Sequence, residues 1–246
     1  MTPIPRSGPK IGVLVPYTNC NLEPDMQLLC PPGATLHFAR MGGYDVDEIP
    51  GSDQMAGLGA SDITETLMLL SGVRPDVVLY GCTSATLTHG PEFDKDLAQK
   101  IRAGSGALSV TAAGSVVAAV QTLGATRIGF ASPYLGEIND QAVDFLASQG
   151  IETVKAHDIG RALGNYGQGE LTPDEVYELA LAADHPEAQA IVLSCTDMRS
   201  VECIARVEAA LRKPVVTSNQ AMMFCLMRTL GLPRHDGLPG RLFDLL

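Results

Sequence analysis

The chain contains 246 residues, of which 46% are hydrophobic, and its formal net charge is −11. A chain this acidic offers no basic surface to neutralise phosphates, which excludes nucleic acids and anionic membranes as expected partners. Its apolar runs are far shorter than the roughly 20 residues that span a bilayer. The first ten residues contain no apolar stretch of the signal-peptide type, so we expect a cytoplasmic protein.

The first half of the chain alternates β-prone apolar runs with helical patterns, as parallel α/β proteins do. Predicted strands cover residues 10–17, 34–41, 76–81 and 107–111. Predicted helices cover residues 60–73, 90–106 and 113–124, with Ser61 as the N-cap of the first. The glycine-rich stretch at 102–109 precedes a strand instead of following one, which argues against a dinucleotide site.

The third predicted strand ends at Gly81 and runs directly into Cys82, Thr83 and Ser84. Ligands of open parallel sheets bind at the carboxyl ends of the strands. Backbone N–H groups at a helix start stabilise a thiolate and a bound carboxylate, so we expect a thiol of lowered pKa and an anion site here. Free cysteine is also a common core residue, and that alternative stands for any one cysteine taken alone.

The second half of the chain repeats the plan of the first. The segments RIGFASPY (127–134), AIVLSCT (190–196) and KPVVTSNQAMMFCLMRTLG (213–231) match KIGVLVPY (10–17), VVLYGCT (77–83) and GALSVTAAGSVVAAVQTLG (106–124) in order. Three matches at similar spacing indicate a duplicated α/β unit. Cys195 therefore occupies the position in the second half that Cys82 occupies in the first, and this echo favours function over packing for both.

We predict an α/β fold of two duplicated, Rossmann-like halves with parallel sheets, related by a pseudo-two-fold axis. Residues 1–112 together with 216–246 are expected to form the first lobe, and residues 113–215 the second. The active site is expected in the cleft between them, flanked by the two Cys-Thr turns.

Three further segments of the second half have distinct patterns. Residues 139–150 and 172–184 are predicted helices, the latter capped by Thr172 with Pro173 at its first position. Residues 164–170 are interpreted as a loop, either a surface connection or a lid over the cleft.

The remaining cysteines and the histidines are scattered along the chain. With no C-x-x-C pair and no Cys/His cluster, we expect free thiols and no metal site. The cysteines outside the Cys-Thr turns are interpreted as structural or incidental: Cys20, Cys30, Cys203 and Cys225. His89 follows Cys82 closely, but a cap or surface role is favoured over a catalytic one.

Several motifs, taken together, resemble the aspartate/glutamate racemase superfamily. They are VPYTN (15–19), GCTSATLTHG (81–90), SPY (132–134), LSCTDMRS (193–200), VVTSNQA (215–221) and GRLFD (240–244). The closer resemblance is to its branch of maleate cis–trans isomerases and arylmalonate decarboxylases. It covers essentially the whole chain.

The resemblance implies a cofactor-independent isomerase of a small dicarboxylic acid, most directly maleate to fumarate. In that reading Cys82 is the nucleophile that adds to the double bond, and Cys195 is its acid/base partner. The residues implied to bind substrate are Tyr17, Asn19, Thr83, Ser84, Tyr134 and Thr196. A homodimer or homotetramer is expected, and no cofactor.

Other activities remain open at this stage. An amino- or hydroxy-dicarboxylate racemase or epimerase would use the same two thiols as paired acid and base. An arylmalonate decarboxylase-like enzyme is a further alternative, although such enzymes have glycine where this chain has Cys82. An inactive ligand-binding homologue is also compatible with the fold. The roles of Cys20, His89 and Asp197 are not assigned.

Overall fold

The computed structural model describes residues 8–42 and 52–246. These residues contain two four-stranded parallel sheets of matching strand order, β2-β1-β3-β4 and β6-β5-β7-β8. The strands of the first sheet are β1 (Lys10–Pro16), β2 (Thr35–Met41), β3 (Val77–Tyr80) and β4 (Leu108–Thr111). Those of the second are β5 (Arg127–Ser132), β6 (Glu152–Asp158), β7 (Ala190–Leu193) and β8 (Val215–Thr217). The prediction of an α/β fold with two similar halves is confirmed.

The central strands are recognisable in the sequence because helices cover both of their faces. β3 and β7 are buried at every residue, which requires the uninterrupted apolar runs that the sequence shows. The edge strand β6 is different: its sequence ETVKAHD is partly or fully exposed throughout. A polar, exposed strand has no apolar pattern to detect, and sequence analysis missed it.

Helices of the first half cover the first sheet. They are α1 (Leu22–Leu29), α2 (Ser52–Ala60), α3 (Thr64–Ser71), α4 (Thr83–Leu87), α5 (Pro91–Ser105) and α6 (Ala112–Thr122). The expectation of one helix over 60–73 with Ser61 as its N-cap is wrong. The Ser61 hydroxyl donates to the Leu58 carbonyl at the end of α2, whereas the Asp62 carboxylate accepts the backbone N–H of Thr64.

Helices of the second half are α7 (Glu137–Ser148), α8 (Gly167–Glu170), α9 (Pro173–Ala182), α10 (Ile204–Leu211) and α11 (Ser218–Thr229). The predicted start of α9 is confirmed, because Thr172 accepts the backbone N–H of Glu175 and Pro173 occupies the first turn. Helices α6 and α11 pack against each other and join the two halves. One apolar core runs through both sheets along this contact. None of the described helices is long and apolar enough to cross a membrane.

Candidate active site

The two Cys-Thr turns leave equivalent strands, Cys82 after β3 and Cys195 after β7, and both cysteines are buried. A cavity of about 40 Å³ opens between the two halves beside Cys82, whereas Cys195 is outside its lining and contacts the lining residue Tyr134. Its lining residues are Pro16, Thr18, Asn19, Met55, Leu58, Cys82, Tyr134, Asn165, Gln168, Thr196 and Asp197. Larger grooves lie on the surface, such as one of about 490 Å³ beside α9, but its lining contains neither cysteine. The small cavity is therefore the candidate active site.

Two hydroxyl groups connect the thiols across the cavity. The Cys82 Sγ atom lies 3.7 Å from the Ser84 Oγ atom. Ser84 donates to the Tyr134 hydroxyl at 3.3 Å, and that hydroxyl lies 3.4 Å from the Cys195 Sγ atom. Cys82 and Ser84 belong to the first half of the chain, whereas Tyr134 and Cys195 belong to the second. A continuous hydrogen-bonded path thus links one cysteine to the other.

The expectation of a lowered thiol pKa is wrong for the site as it stands. Burial raises the pKa of Cys82, although backbone N–H groups of Ala85 and Ser84 act in the opposite direction. Burial and the Asp197 carboxylate raise the pKa of Cys195 to about 12. The sequence indicates a helix start whose N–H groups lower a thiol pKa. The desolvation that raises the pKa more strongly depends on how the chain packs. Both cysteines are therefore protonated thiols at neutral pH.

Asn19 and Thr196 form a hydrogen bond between the two halves at the wall of the cavity. Asn19 donates from its Nδ2 atom to the Thr196 Oγ1 atom at 3.0 Å, and Thr196 donates to the Gly81 carbonyl at 3.0 Å. The Asn19 Oδ1 atom also accepts the backbone N–H of Leu22, which orients the amide at the start of α1. Both side chains line the cavity, and their orientation is set by these contacts.

The other residues expected to bind substrate are placed differently. The Thr83 hydroxyl donates to the Ser218 Oγ atom at the start of α11, and Thr83 is not part of the cavity lining. Ser84 contacts the Met55 Sδ atom as well as Tyr134. Tyr17 is half-buried at the end of β1 and lies outside the lining. Of the predicted set, Asn19, Tyr134 and Thr196 line the cavity together with Cys82.

Sequence analysis missed several lining residues. Asn165 and Gln168 are buried in the segment 164–170, which forms α8 and closes one side of the cavity. In the sequence, their carboxamide side chains beside glycines were the feature that could have indicated a binding segment. Met55 and Leu58 come from α2, a helix that the sequence did not predict.

The described residues support neither a catalytic role for His89 nor a metal site. The His89 Nε2 atom lies 2.7 Å from the Ala56 carbonyl, and its ring stacks on Phe93, away from the cavity lining. Within residues 8–42 and 52–246, no group of His, Cys, Asp and Glu side chains is arranged to hold a metal ion.

A family model described as arylmalonate decarboxylase matches residues 11–243. A maleate isomerase of Geobacillus stearothermophilus is 25% identical, over 96% of this chain and 97% of its own length. A maleate isomerase of Nocardia farcinica is 27% identical, over 95% of this chain and 94% of its own length. A solved Cys-to-Ser variant of the Nocardia farcinica maleate cis–trans isomerase carries a covalently bound succinylcysteine intermediate. It is 25% identical, with a TM-score of 0.85 over 96% of this chain and 98% of that one.

Proposed function

We propose that this chain, which belongs to the arylmalonate decarboxylase family, is a cofactor-independent isomerase that converts maleate into fumarate. The observation that carries the proposal is the hydrogen-bonded path from Cys82, which lines the cavity, through the hydroxyls of Ser84 and Tyr134 to Cys195 of the other half. Relatives that match nearly the whole chain are maleate isomerases, and one of them forms a succinylcysteine. The geometry and the relatives point to the same two-thiol chemistry.

In the forward reaction, Cys82 bonds to one carbon of the double bond and Cys195 gives its proton to the other. The proton that leaves Cys82 passes through Ser84 and Tyr134 to the Cys195 sulfur, so charge and atoms balance. The former double bond is now single and rotates. Cys195 then removes the added proton, the carbon–sulfur bond breaks, and fumarate leaves as the protons return along the same path.

The raised pKa values fit this sequence of steps. Because its raised pKa keeps Cys195 protonated, it holds the proton that the carbanion needs. Burial also raises the pKa of Tyr134 well above its usual value, so that its hydroxyl remains a donor. Neither thiol needs to be a free thiolate before substrate arrives, since the hydroxyl path carries the Cys82 proton away as the bond forms.

The cavity lining suits a small dicarboxylate through neutral donors. Asn19, Asn165 and Gln168 supply carboxamide groups and Tyr134 supplies a hydroxyl, whereas the Thr196 hydroxyl already donates to the Gly81 carbonyl. Carboxylates accept hydrogen bonds from such groups without a cationic partner. Met55 and Leu58 form an apolar wall that excludes water from the reacting carbons.

Trapping the adduct tests the proposal. Cys195→Ser incubated with maleate is expected to gain the mass of one maleic acid on the peptide that contains Cys82, because the serine hydroxyl can still give the carbanion a proton but cannot act as the base that removes it again. Cys82→Ser should show no adduct. Turnover should fall by about 10³-fold or more in each variant. Cys225→Ser is the control that keeps turnover, since Cys225 contacts the Ser115 carbonyl of α6 and is not part of the cavity lining. Turnover retained by Cys82→Ser would contradict the mechanism.

A racemase of an amino or hydroxy dicarboxylic acid is the second candidate, because a thiol on each side of one carbon is also the arrangement such catalysis needs. Deuterium oxide separates the two reactions. Racemisation of aspartate would place deuterium on its α-carbon, whereas an isomerase consumes maleate, leaves aspartate unlabelled and produces fumarate.

The proposal extends to the assembly and the location of the protein. We propose that the protein is cytoplasmic. We also propose that it is a homodimer or homotetramer, which is supported by the exposed Met68 and Leu69 side chains on α3, each more than 60% accessible. Light scattering on the purified protein tests the assembly. A monomer at micromolar concentration would contradict it.

A further inference from the structure

Asp197 follows Cys195 and Thr196 directly, and the mechanism above does not use it. Its side chain lines the cavity, yet it is only 8% exposed. Its Oδ1 atom accepts the backbone N–H groups of Cys20 at 2.8 Å and Asn21 at 3.1 Å. A carboxylate of the second half therefore holds the turn that follows β1 in the first half.

Asn21 extends this contact to a third segment. Its Nδ2 atom donates to the Asp197 carbonyl at 2.8 Å and to the Gly169 carbonyl at 3.0 Å. Gly169 fits closely: a Cβ atom there would lie 2.9 Å from the Cys20 Sγ atom and 3.0 Å from the Asp197 Oδ2 atom. We call these contacts among Cys20, Asn21, Gly169 and Asp197 the Asp197 bridge.

The Asp197 bridge joins the segments that complete the cavity. Asn19 precedes its first member by one residue, and Gln168 precedes Gly169. Both side chains line the cavity, as does Asn165 in the same segment as Gln168. The bridge thus connects the Asn19 turn and the segment 164–170 to the turn that carries Cys195.

We propose that Asp197 is a positioning residue that holds the Asn19 turn and the segment 164–170 over the two cysteines, and so sets the affinity for the dicarboxylate. The inference rests on the proposed function for its substrate, but its geometry does not. The negative charge of Asp197 is a separate effect, since it also raises the pKa of both Cys82 and Cys195. Cys20 and Asp25 are the other titratable groups that face it.

Two neutral variants separate the bridge from the charge. Asp197→Asn retains an oxygen acceptor for the N–H groups of Cys20 and Asn21, whereas Asp197→Ala removes it. Both variants lack the negative charge, so a difference between them measures the effect of the hydrogen bonds that the side chain accepts from Cys20 and Asn21. Losing hydrogen bonds of this kind is expected to raise KM for maleate about tenfold in Asp197→Ala relative to Asp197→Asn, with a smaller change in kcat.

A second readout does not depend on turnover. We expect iodoacetamide to label Cys82 about tenfold faster in Asp197→Ala than in Asp197→Asn, because the covering segments separate more often. The labelled peptide is quantified by mass spectrometry without substrate. If the wild-type protein fails to turn over maleate, the proposed function fails while the labelling rates still test the bridge. Equal labelling rates and equal KM values in the two variants would overturn the bridge.

Gly169→Ala provides an independent test, because it changes the bridge in the segment 164–170 and not at Asp197. The added methyl group collides with Cys20 and Asp197, so labelling of Cys82 and KM should both rise. The same substitution in the Asp197→Ala background should have a smaller effect, because the side-chain contacts of Asp197 are already lost there. Asp174→Asn, an exposed acid on α9 paired with Arg206, is the control and should match the wild-type protein. If Gly169→Ala raises KM and the labelling rate by the same factor with and without Asp197→Ala, the two substitutions act independently, and that result would contradict the bridge.

Discussion

Tyr134 connects the two halves of the molecule along the proposed proton path. Its hydroxyl accepts from Ser84 in the first half and lies 3.4 Å from the Cys195 Sγ atom in the second. Its backbone is fixed as well, because the Ser132 Oγ atom accepts the Tyr134 N–H at 3.1 Å. The sequence indicated this residue only through its SPY motif, whereas its position between the thiols follows from the way the two halves meet.

Replacing Tyr134 with phenylalanine removes the hydroxyl and keeps the ring. We expect Tyr134→Phe to lower kcat for maleate by about 10²-fold, because the path between Ser84 and Cys195 is interrupted while the cavity keeps its shape. KM should change much less. Steady-state kinetics measures both. Tyr177→Phe, on α9 beneath the Arg206 guanidinium, is the matched control and should retain full activity. A Tyr134→Phe enzyme within twofold of wild type would remove Tyr134 from the proton path.

At the scale of elements, the β3–α4 connection shows why Gly81 precedes Cys82. A Cβ atom at Gly81 would lie 2.4 Å from the Leu22 Cδ2 atom of α1 and 2.8 Å from the Leu14 carbonyl of β1. Gly81 is not among the residues with positive φ, so the glycine is required for close approach and not for an unusual backbone. α1 can therefore pack directly against the turn that carries Cys82.

This packing makes Gly81→Ala a sensitive test of the connection. The Leu14 carbonyl belongs to a central strand and cannot move, so we expect a loss of about 1–3 kcal/mol in the free energy of unfolding. Thermal denaturation measures it, and turnover should fall with the displacement of Cys82. Gly57→Ala, in α2 with open space at the Cβ position, is expected to leave stability unchanged or slightly raised. Equal melting temperatures for Gly81→Ala and the wild-type protein would contradict this account.

On the scale of the whole molecule, Asn219 joins three elements behind the cavity. Its Nδ2 atom donates to the Asp25 Oδ2 atom of α1 at 2.7 Å and to the Thr196 carbonyl after β7 at 3.0 Å. Asn219 itself lies in the first turn of α11, the helix that crosses between the halves. Burial raises the pKa of Asp25 from 3.8 to about 7. This connection between the halves therefore contains an acid that titrates near neutrality.

The Asp25 proton makes stability depend on pH. Between pH 3.8 and about 7 the folded protein holds this proton and the unfolded chain releases it. The stabilising contribution is complete below the unfolded value and is lost as the pH rises through about 7. We expect the wild-type protein to lose on the order of 3 kcal/mol relative to Asp25→Asn between about pH 4 and about pH 8.

Urea denaturation of the two proteins across this pH range measures the difference. Asparagine keeps an acceptor for Asn219 but has no proton to release, so the comparison isolates one group. Asp144→Asn, an exposed change on α7, controls for the general effect of removing an acid. A constant difference between wild type and Asp25→Asn across the range would show that Asp25 is ionised throughout.

The division into lobes also belongs to this scale. We propose boundaries near residues 112 and 216, supported by the places where the chain enters α6 and α11, which pack together between the two sheets. The first lobe would then comprise residues 1–112 with 216–246, and the second lobe residues 113–215. Hydrogen exchange with and without a dicarboxylate would locate such a boundary.

The amino-acid sequence by itself determined the two-sheet plan and the pairing of Cys82 with Cys195. Both follow from local patterns: buried strands need continuous apolar runs, and the duplication places a Cys-Thr turn after equivalent strands. Short or exposed elements such as α4 and β6 escaped detection because they carry too few apolar residues to form a period.

Only the tertiary structure decided what surrounds the two thiols. Asn165, Gln168 and Asp197 reach the cavity from segments far from Cys82 along the chain, and no local pattern encodes that meeting. The same holds for the direction of the thiol pKa shift. A helix start that lowers a thiol pKa in water is visible in the sequence, but burial, which reverses the shift here, is a property of the assembled halves.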